Sequence, residues 1–431
     1  MTKISFYTLG CRLNQSETAS IQNSFDTNGY QVVDFGQPSD IVVINTCTVT
    51  AGGDADTRRL VNKVHRLNPQ ARIALVGCQA QVQKEKLAAM PNVRWIVGNS
   101  RKMDLVSVLR EYPSPSQAAV ITPVIERRPF TQAVAGIDRR HTRANIKIQD
   151  GCDFFCSFCE IPYARGRARS RVFADILLEA QALAAAGHKE IVLTGINIGT
   201  FAQEGKGLLD VVAALENIEE LKRVRISSIE PTTIPLKIFD FMKVGDGSEP
   251  SPTLCRHLHI PLQSGSDEIL RAMKRQYTVS EFSGFICQAQ QRVVQICIGT
   301  DVIVGFPGET DKHFDQTMDF IRQEPIHYVH VFSYSPRYMA KSRLQTNVPS
   351  HVITQRSQAL RKLSARKRRM FHESLLGTTQ EVLFEDYKNG FWLGLTDNYV
   401  RVKVESDQDL SNRIVKVRLQ TIEGQIVKGE D

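Results

Sequence analysis

Gly151-Cys152-Asp153-Phe154-Phe155-Cys156-Ser157-Phe158-Cys159 follows directly on Ala144–Gln149, whose alternating apolar pattern predicts a strand. The C-x3-C-x2-C spacing packs three thiols into one loop at a strand end. Iron–sulfur clusters are normally held by four cysteines, so three leave one iron without a protein ligand and open to another molecule. A structural zinc knuckle is the competing reading, although the paired C-x2-C or Cys/His spacing of such sites is absent here. A reactive loop at a strand's C-terminal end is also the mark of β/α architecture, which gathers its chemistry there.

Downstream the alternation continues. The pattern predicts helices at 174–186, 207–216, 268–273, 280–291 and 312–323, interleaved with strands at 190–194, 223–227, 257–261, 299–304 and 327–334. About six βα units over some 200 residues imply a partly or fully closed β/α barrel. Four strand ends carry polar or glycine-rich loops: Gly195-Ile-Asn197, Ser227-Ser228-Ile-Glu230, His259-Ile-Pro-Leu-Gln263-Ser-Gly265 and Gly305-Phe-Pro-Gly308-Glu309. Glycines let a ligand approach backbone, and Glu, Ser and Gln offer hydrogen bonds to ribose and amino-acid groups.

Upstream, three apolar runs each end at a cysteine: Lys3 to Cys11, Asp40 to Cys47 and Ala71 to Cys78. They read as strands, separated by helices at 15–28 and 56–67, with a further strand at 92–98. In a parallel sheet the C-terminal ends share one edge, so the three thiols are expected to converge although 36 and 31 residues separate them. Residues 113–137, with Pro113, Pro115, Pro123 and Pro129, read as a linker. A basic helix at 355–374 is followed by short alternating runs that predict a small all-β barrel. The expected domains are therefore 1–112, parallel α/β; 138–372, the β/α barrel; and 373–431, all-β.

Composition constrains the partners. The 431 residues are 42% hydrophobic and 23% charged, ordinary globular usage that excludes a disordered or fibrous chain. No apolar run approaches the ~20 residues of a membrane span, and a soluble, cytoplasmic protein is expected. The net charge of +8 favours a polyanionic partner. Arg165, Arg167 and Arg169 alternate just after the cysteine loop, where they are expected to hold phosphates; Tyr399, Arg401 and Lys403 alternate in the C-terminal segment, as an RNA-facing strand does. Cys255, Cys287 and Cys297 share no placement and read as core residues, and His259 as a packed, hydrogen-bonded one. No Ser-His-Asp, Walker or zincin pattern occurs.

The C-x3-C-x2-C loop after a first barrel strand resembles the signature of the radical S-adenosylmethionine enzymes. The resemblance implies a [4Fe–4S] cluster on Cys152, Cys156 and Cys159 whose open iron chelates S-adenosylmethionine, reductively split to a 5′-deoxyadenosyl radical, with Phe158 against the adenine. It implies cofactor contacts at Gly195, Asn197, Ser228, Glu230 and Gln263. With the second trio and the C-terminal β segment, the whole chain resembles the methylthiotransferases, which implies a second [4Fe–4S] cluster on Cys11, Cys47 and Cys78 and a TRAM-like RNA-binding barrel. Gly10-Cys11-Arg12-Leu13-Asn14 resembles the threonylcarbamoyladenosine branch; the isopentenyladenosine branch usually reads Gly-Cys-Gln-Met-Asn and the ribosomal-protein branch Gly-Cys-Pro-Lys-Asn. Where the family commonly has Gly-Thr, this chain has Met339-Ala340, which puts the local loop shape in question.

The expected activity is conversion of N6-threonylcarbamoyladenosine beside the tRNA anticodon, at position 37, to its 2-methylthio form. The resemblance implies that one S-adenosylmethionine donates a methyl group to cluster-bound sulfur and that another yields the radical that removes the C2 hydrogen. Alternatives are isopentenyladenosine in tRNA, a ribosomal-protein aspartate, and a zinc-stabilised RNA-binding protein without activity. The resemblance further implies the anticodon stem-loop as partner, an electron donor of flavodoxin or ferredoxin type and a sulfur source; a monomer without membrane attachment is expected.

Overall fold

The computed structural model describes residues 1–113, 117–132, 142–242 and 254–430. The junction expected at 137/138 and Pro115 lie outside them. The chain divides into two compact units: Met1–Asp138 with Lys147–Glu179 and Ser335–Leu344, and Arg139–Ile146 with Ala180–Tyr334 and Gln345–Asp431.

The first unit is built on β1 (Lys3–Thr8), α1 (Arg12–Asp26), β2 (Gln31–Val33), β3 (Ile41–Thr46), α2 (Ala51–Leu67), β4 (Arg72–Gly77), α3 (Cys78–Val82), α4 (Lys84–Ala88), β5 (Val93–Val97), α5 (Leu105–Glu111) and β6 (Ala119–Ile121). Its strands form a parallel sheet of order β2-β1-β3-β4-β5-β6. β3 is buried along its whole length, as a central parallel strand covered on both faces must be. Alternate residues serve opposite cores: Val43 and Val76 join Phe25 and Trp95 on one face, while Val42 and Leu75 join Val61 and Leu87 on the other. β6 lies inside the stretch read as linker and extends the sheet beside β5. β2, α3, α4 and β6 escaped the sequence reading because segments of three to five residues are too short to display a period.

The same unit holds the segment after β7 (Arg143–Lys147): β8 (Gln149–Asp150), α6 (Ile161–Arg165) and β9 (Arg169–Ser170), with β8 and β9 paired antiparallel as Gln149↔Ser170 and Asp150↔Arg169. This pairing closes the base of the 151–160 loop. α7 (Phe173–Ala185) follows.

In the second unit, β10 (Glu190–Thr194), α8 (Leu208–Glu216), β11 (Arg223–Ile226), β12 (His257–His259), α9 (Asp267–Ala272), α10 (Val279–Arg292), β13 (Cys297–Val304), α11 (Asp311–Gln323) and β14 (Tyr328–Ser333) complete the β/α pattern. β7, β10 and β11 form one sheet and β12, β13 and β14 another, joined by a parallel bridge between Val224 and Leu254. The six strands thus run in chain order. Among the described residues β14 does not pair with β7, so the barrel is partial. α12 (Ser350–Glu373) leads to β15 (Thr379–Lys388), β16 (Phe391–Thr396), β17 (Arg401–Val404), β18 (Ile414–Glu423) and β19 (Ile426–Glu430), a closed barrel of order β15-β16-β17-β19-β18. Arg225 pairs with Glu190 of the neighbouring strand and donates to the carbonyls of Thr396 and Asp397, tying this small barrel to the β/α strands. Among the described residues no helix is long and apolar enough to cross a membrane.

Candidate functional site

Cys11, Cys47 and Cys78 follow β1, β3 and β4, which are neighbours in the sheet. Register does the rest. Thr46 pairs with Gly77, so the next residues, Cys47 and Cys78, emerge side by side; Thr8 pairs with Asn45, which brings Gly10 opposite Cys47. A Cβ on Gly10 would lie 2.8 Å from Cys47 Sγ, and the residue's φ of +93° is open to glycine alone at little cost. Burial pushes the Cys47 thiol up to about 12. Asn99 Nδ2 donates to Cys78 Sγ at 3.5 Å.

The barrel loop assembles its thiols locally. Gly151 turns the chain with φ +73°, and a Cβ there would sit 2.1 Å from the Arg167 carbonyl oxygen. Phe155 also adopts a left-handed conformation, φ +49°. The Phe154 N–H donates to Cys152 Sγ at 3.5 Å and the Ile161 N–H to Cys159 Sγ at 3.4 Å. Such bonds stabilise thiolate and tune iron–sulfur clusters. Both trios therefore fit an iron–sulfur core: each concentrates three thiols, and each offers N–H donors to sulfur.

Between the two cysteine segments lies a buried ion network. Glu17 on α1, fully buried, accepts from Lys102, from Lys147 Nζ at 2.7 Å and from Arg165 at 2.9 and 3.0 Å. Asp150 accepts from Lys147, Arg165 and Arg169 at 2.7, 3.0 and 2.9 Å. The surrounding cations hold the Glu17 and Asp150 carboxyls well below their usual range against the opposing cost of burial. Asn14 bridges, accepting from Arg165 at 2.7 Å and donating to the Leu9 and Thr46 carbonyls. Met339 and Ala340, where the resemblance implies Gly-Thr, sit in the segment that binds the barrel loop: the Met339 N–H donates to Glu160 and the Ser342 N–H to the Ser157 carbonyl.

Arg165 corrects the sequence reading. Expected with Arg167 and Arg169 to face phosphate, it is 1% exposed, its guanidinium committed to Glu17, Asp150 and Asn14. Arg169 is largely buried against Asp150, whereas Arg167 is 55% exposed and stacks its guanidinium over Phe155. Tyr399 does not lie on the strand with Arg401 and Lys403; it precedes β17 with φ +68° and its ring stacks on His257 at 4.1 Å. Arg401 is half-exposed, and Lys403 pairs with Glu423.

In the second unit, Gly195 and Asn197 lie past β10, Ser228 and Glu230 past β11, and Gln263 past β12, all at C-terminal strand ends. Phe158 is half-buried in the first unit. Asn197 Oδ1 accepts from Thr233 Oγ1 at 2.9 Å. Arg275 pairs with Glu230, yet burial raises the Glu230 carboxyl above its usual range. Gln263 stands at φ +69° with its Oε1 buried and unpartnered among the described residues, an acceptor available to a ligand. His259 is held between Tyr328 and Asp301, as a packed histidine should be. The residues the sequence reading missed are Glu17, Lys102, Lys147 and Asn99. The sequence carried no local signal for them: Glu17, Asn99 and Lys102 lie in polar stretches, and Lys147 occupies the polar phase of the β7 alternation.

Residues 3–98 match the family model described as "Uncharacterized protein family UPF0004", and residues 146–321 match the Radical SAM superfamily. Over 429 residues the chain is 34% identical to the threonylcarbamoyladenosine tRNA methylthiotransferase MtaB of Bacillus subtilis, covering 97% of this chain and 94% of the relative. It is 30% identical to the tRNA-2-methylthio-N(6)-dimethylallyladenosine synthase of Thermodesulfovibrio yellowstonii over 97% of each. The fold is similar to that of the radical S-adenosylmethionine methyltransferase TsrM of Kitasatospora setae, with a TM-score of 0.56, 13% identity and coverage of 77% of this chain and 73% of that one.

Proposed function

Since the chain belongs to the radical S-adenosylmethionine methylthiotransferase family, we propose that it converts N6-threonylcarbamoyladenosine at position 37 of tRNA to the 2-methylthio derivative. The observation that carries the reading is the pair of three-cysteine sites in one compact unit, at the end of a sheet and at the end of a barrel strand. An aromatic C–H offers no acidic proton at neutral pH, so general-base chemistry is insufficient. When bound, [4Fe–4S] clusters and S-adenosylmethionine supply the one-electron chemistry and the methyl group that such a C–H requires.

In this reading Cys152, Cys156 and Cys159 hold the cluster that engages S-adenosylmethionine, and Cys11, Cys47 and Cys78 hold the sulfur-carrying one. Gln263 offers its buried Oε1, and Glu230, held by Arg275, its carboxylate, to the cofactor's polar groups; Phe158, Gly195, Asn197 and Ser228 supply packing, close approach and hydrogen bonds. The anticodon stem-loop meets Arg167, Arg401 and Lys403, with the reacting base unstacked toward the strand ends. The expected domains, 1–112, the barrel at 138–372 and an RNA-binding TRAM-like barrel at 373–431, are kept in this reading, with β6 taken out of the expected 113–137 linker and added to the N-terminal sheet. A cytoplasmic monomer served by a flavodoxin or ferredoxin and a separate sulfur source completes the reading.

Mass spectrometry of total-tRNA nucleosides from cells with and without the gene tests it. Loss of 2-methylthio-N6-threonylcarbamoyladenosine with accumulation of its precursor is expected. Persistence of that nucleoside with loss of the dimethylallyl analogue would move the substrate assignment to the other tRNA branch.

A further inference from the structure

α6 follows the barrel loop by one residue and is fastened to the rim of the N-terminal trio at three places. Glu160, at its N-cap, accepts from the hydroxyl of Thr48, next to Cys47, at 2.7 Å. The Ala164 carbonyl accepts from Asn99, whose same amide nitrogen reaches Cys78 Sγ. Arg165, its last residue, is bound by Asn14 and Glu17 of the helix that Cys11 caps. Each anchor adjoins a different cysteine of the trio.

The network behind this helix is not neutral. Lys147, Arg165 and Arg169 bring three positive charges against two from Glu17 and Asp150, and Lys102, whose ammonium burial pushes toward the neutral form, adds to that surplus when protonated. A buried surplus of this kind is costly unless an anion neutralises it. Arg165 binds Asn14 and Glu17 on the helix that Cys11 caps, and Asn14 in turn holds the Thr46 carbonyl that precedes Cys47. An iron–sulfur cube on three thiolates carries negative charge, more when reduced, and supplies the missing anion.

We propose that Arg165 is a positioning residue for both cysteine sites: it locks the helix that follows the barrel loop onto the rim of the N-terminal trio and, with Lys102, is the buried counter-charge of the cluster held there. This rests on the cluster reading given above. Removal of the positive charge disfavours the more negative, reduced cluster, so the midpoint potential falls.

The test is an EPR-monitored redox titration of the full-length, anaerobically reconstituted protein carrying Cys152→Ala, Cys156→Ala and Cys159→Ala, which leaves one cluster to observe. Arg165→Gln in this background is expected to shift the oxidised-to-reduced ratio about tenfold toward oxidised, ~59 mV for a one-electron couple, while Arg165→Lys, which keeps the charge but loses the guanidinium fork, is expected to shift it less. Lys102→Met, which leaves Glu17 paired with Lys147 and Arg165, reads the same charge should Arg165→Gln fail to fold; about a threefold shift in the same direction is expected. Unmoved potentials in iron-loaded Arg165→Gln or Lys102→Met overturn the proposal. A parent triple variant that binds no iron, while the wild type binds about four per chain, overturns the reading of the N-terminal trio instead.

Discussion

Cys152, Cys156 and Cys159 lie within eight residues of one loop, whereas Cys11, Cys47 and Cys78 are separated by 36 and 31 residues and meet because β1, β3 and β4 are neighbours in a parallel sheet. The first set is shaped by local backbone: a left-handed Gly151 and Phe155, and N–H groups of the loop turned onto its own sulfurs. The second is shaped by register, and each of its cysteines depends on a different strand end being held level with the next. A local site answers to its turn residues, and a sheet-edge site to the contacts that fix the edge. The two sites should therefore fail separately when attacked locally and together when Arg165, which binds Asp150 beside the barrel loop and Glu17 beside the N-terminal trio, is attacked.

The largest effects come from the thiols themselves. Cys156→Ala and Cys47→Ala should each lower methylthio-product formation at least a thousandfold, ~4 kcal/mol of barrier, and each should cost about four irons per chain. The difference lies in partial chemistry: Cys47→Ala retains reductive cleavage of S-adenosylmethionine to 5′-deoxyadenosine, and Cys156→Ala loses it. Chromatographic assay of 5′-deoxyadenosine decides; equal loss in both variants would mean that the two sites do not divide the labour.

Backbone strain separates the sites next. Alanine at Gly151 forces a left-handed φ on a Cβ that meets the carbonyl oxygens of Arg167 and Gly166 at 2.1 and 2.6 Å, with no mobile group to yield. Gly77, at φ +98°, precedes Cys78, and its nearest obstacle is the Asn45 side-chain oxygen at 2.4 Å. Gly151→Ala should cost ~3 kcal/mol and Gly77→Ala ~1–2 kcal/mol, read from denaturant midpoints. Iron should fall at the barrel site in the first and at the N-terminal site in the second. A larger penalty at Gly77 would reverse the ranking of local against register control.

Most of this architecture is legible in the sequence. The strand-then-cysteine repeats located β1, β3 and β4, and strong periodicity located α10 and α11 within a residue at each end. What stayed hidden was pairing of charge. Arg165, Arg167 and Arg169 read alike in the sequence because alternation says which residues share a face, not which face is covered; Lys102 and Glu17 are 85 positions apart and pair only through the fold. Tyr399 failed for a related reason, a left-handed residue just before β17 that turns the ring onto His257. The sheet edge itself was predictable, and the network that fixes it was not.

Asn14 tests that network at its bridge. Alanine there removes donors to the Leu9 and Thr46 carbonyls, which precede Cys11 and Cys47, and an acceptor for Arg165. A cost of about 1–2 kcal/mol is expected from buried groups left unpaired. Slower assembly of iron at the N-terminal site, with the barrel site unaffected in Mössbauer or EPR spectra of the two single-cluster backgrounds, is the expected signature. Equal slowing at both sites would show that Asn14 serves Arg165 more than the sheet edge.

The smallest effect distinguishes the two sites by what lies outside them. Arg167 stands beside the barrel loop with more than half its side chain in solvent, while Arg165, beside the N-terminal trio, is spent on buried carboxylates. An exposed arginine that contacts phosphate releases one counterion, so Arg167→Ala should weaken binding of an anticodon stem-loop two- to fivefold, ~0.5–1 kcal/mol, and lower the salt slope of log K by about one. Arg165→Lys keeps its charge inside the protein and should leave that slope unchanged. Fluorescence anisotropy across a salt series measures both. The asymmetry has a physical basis: a phosphate can displace the water around Arg167, but to reach Arg165 it would have to break bonds to Glu17, Asp150 and Asn14 in a site already dry.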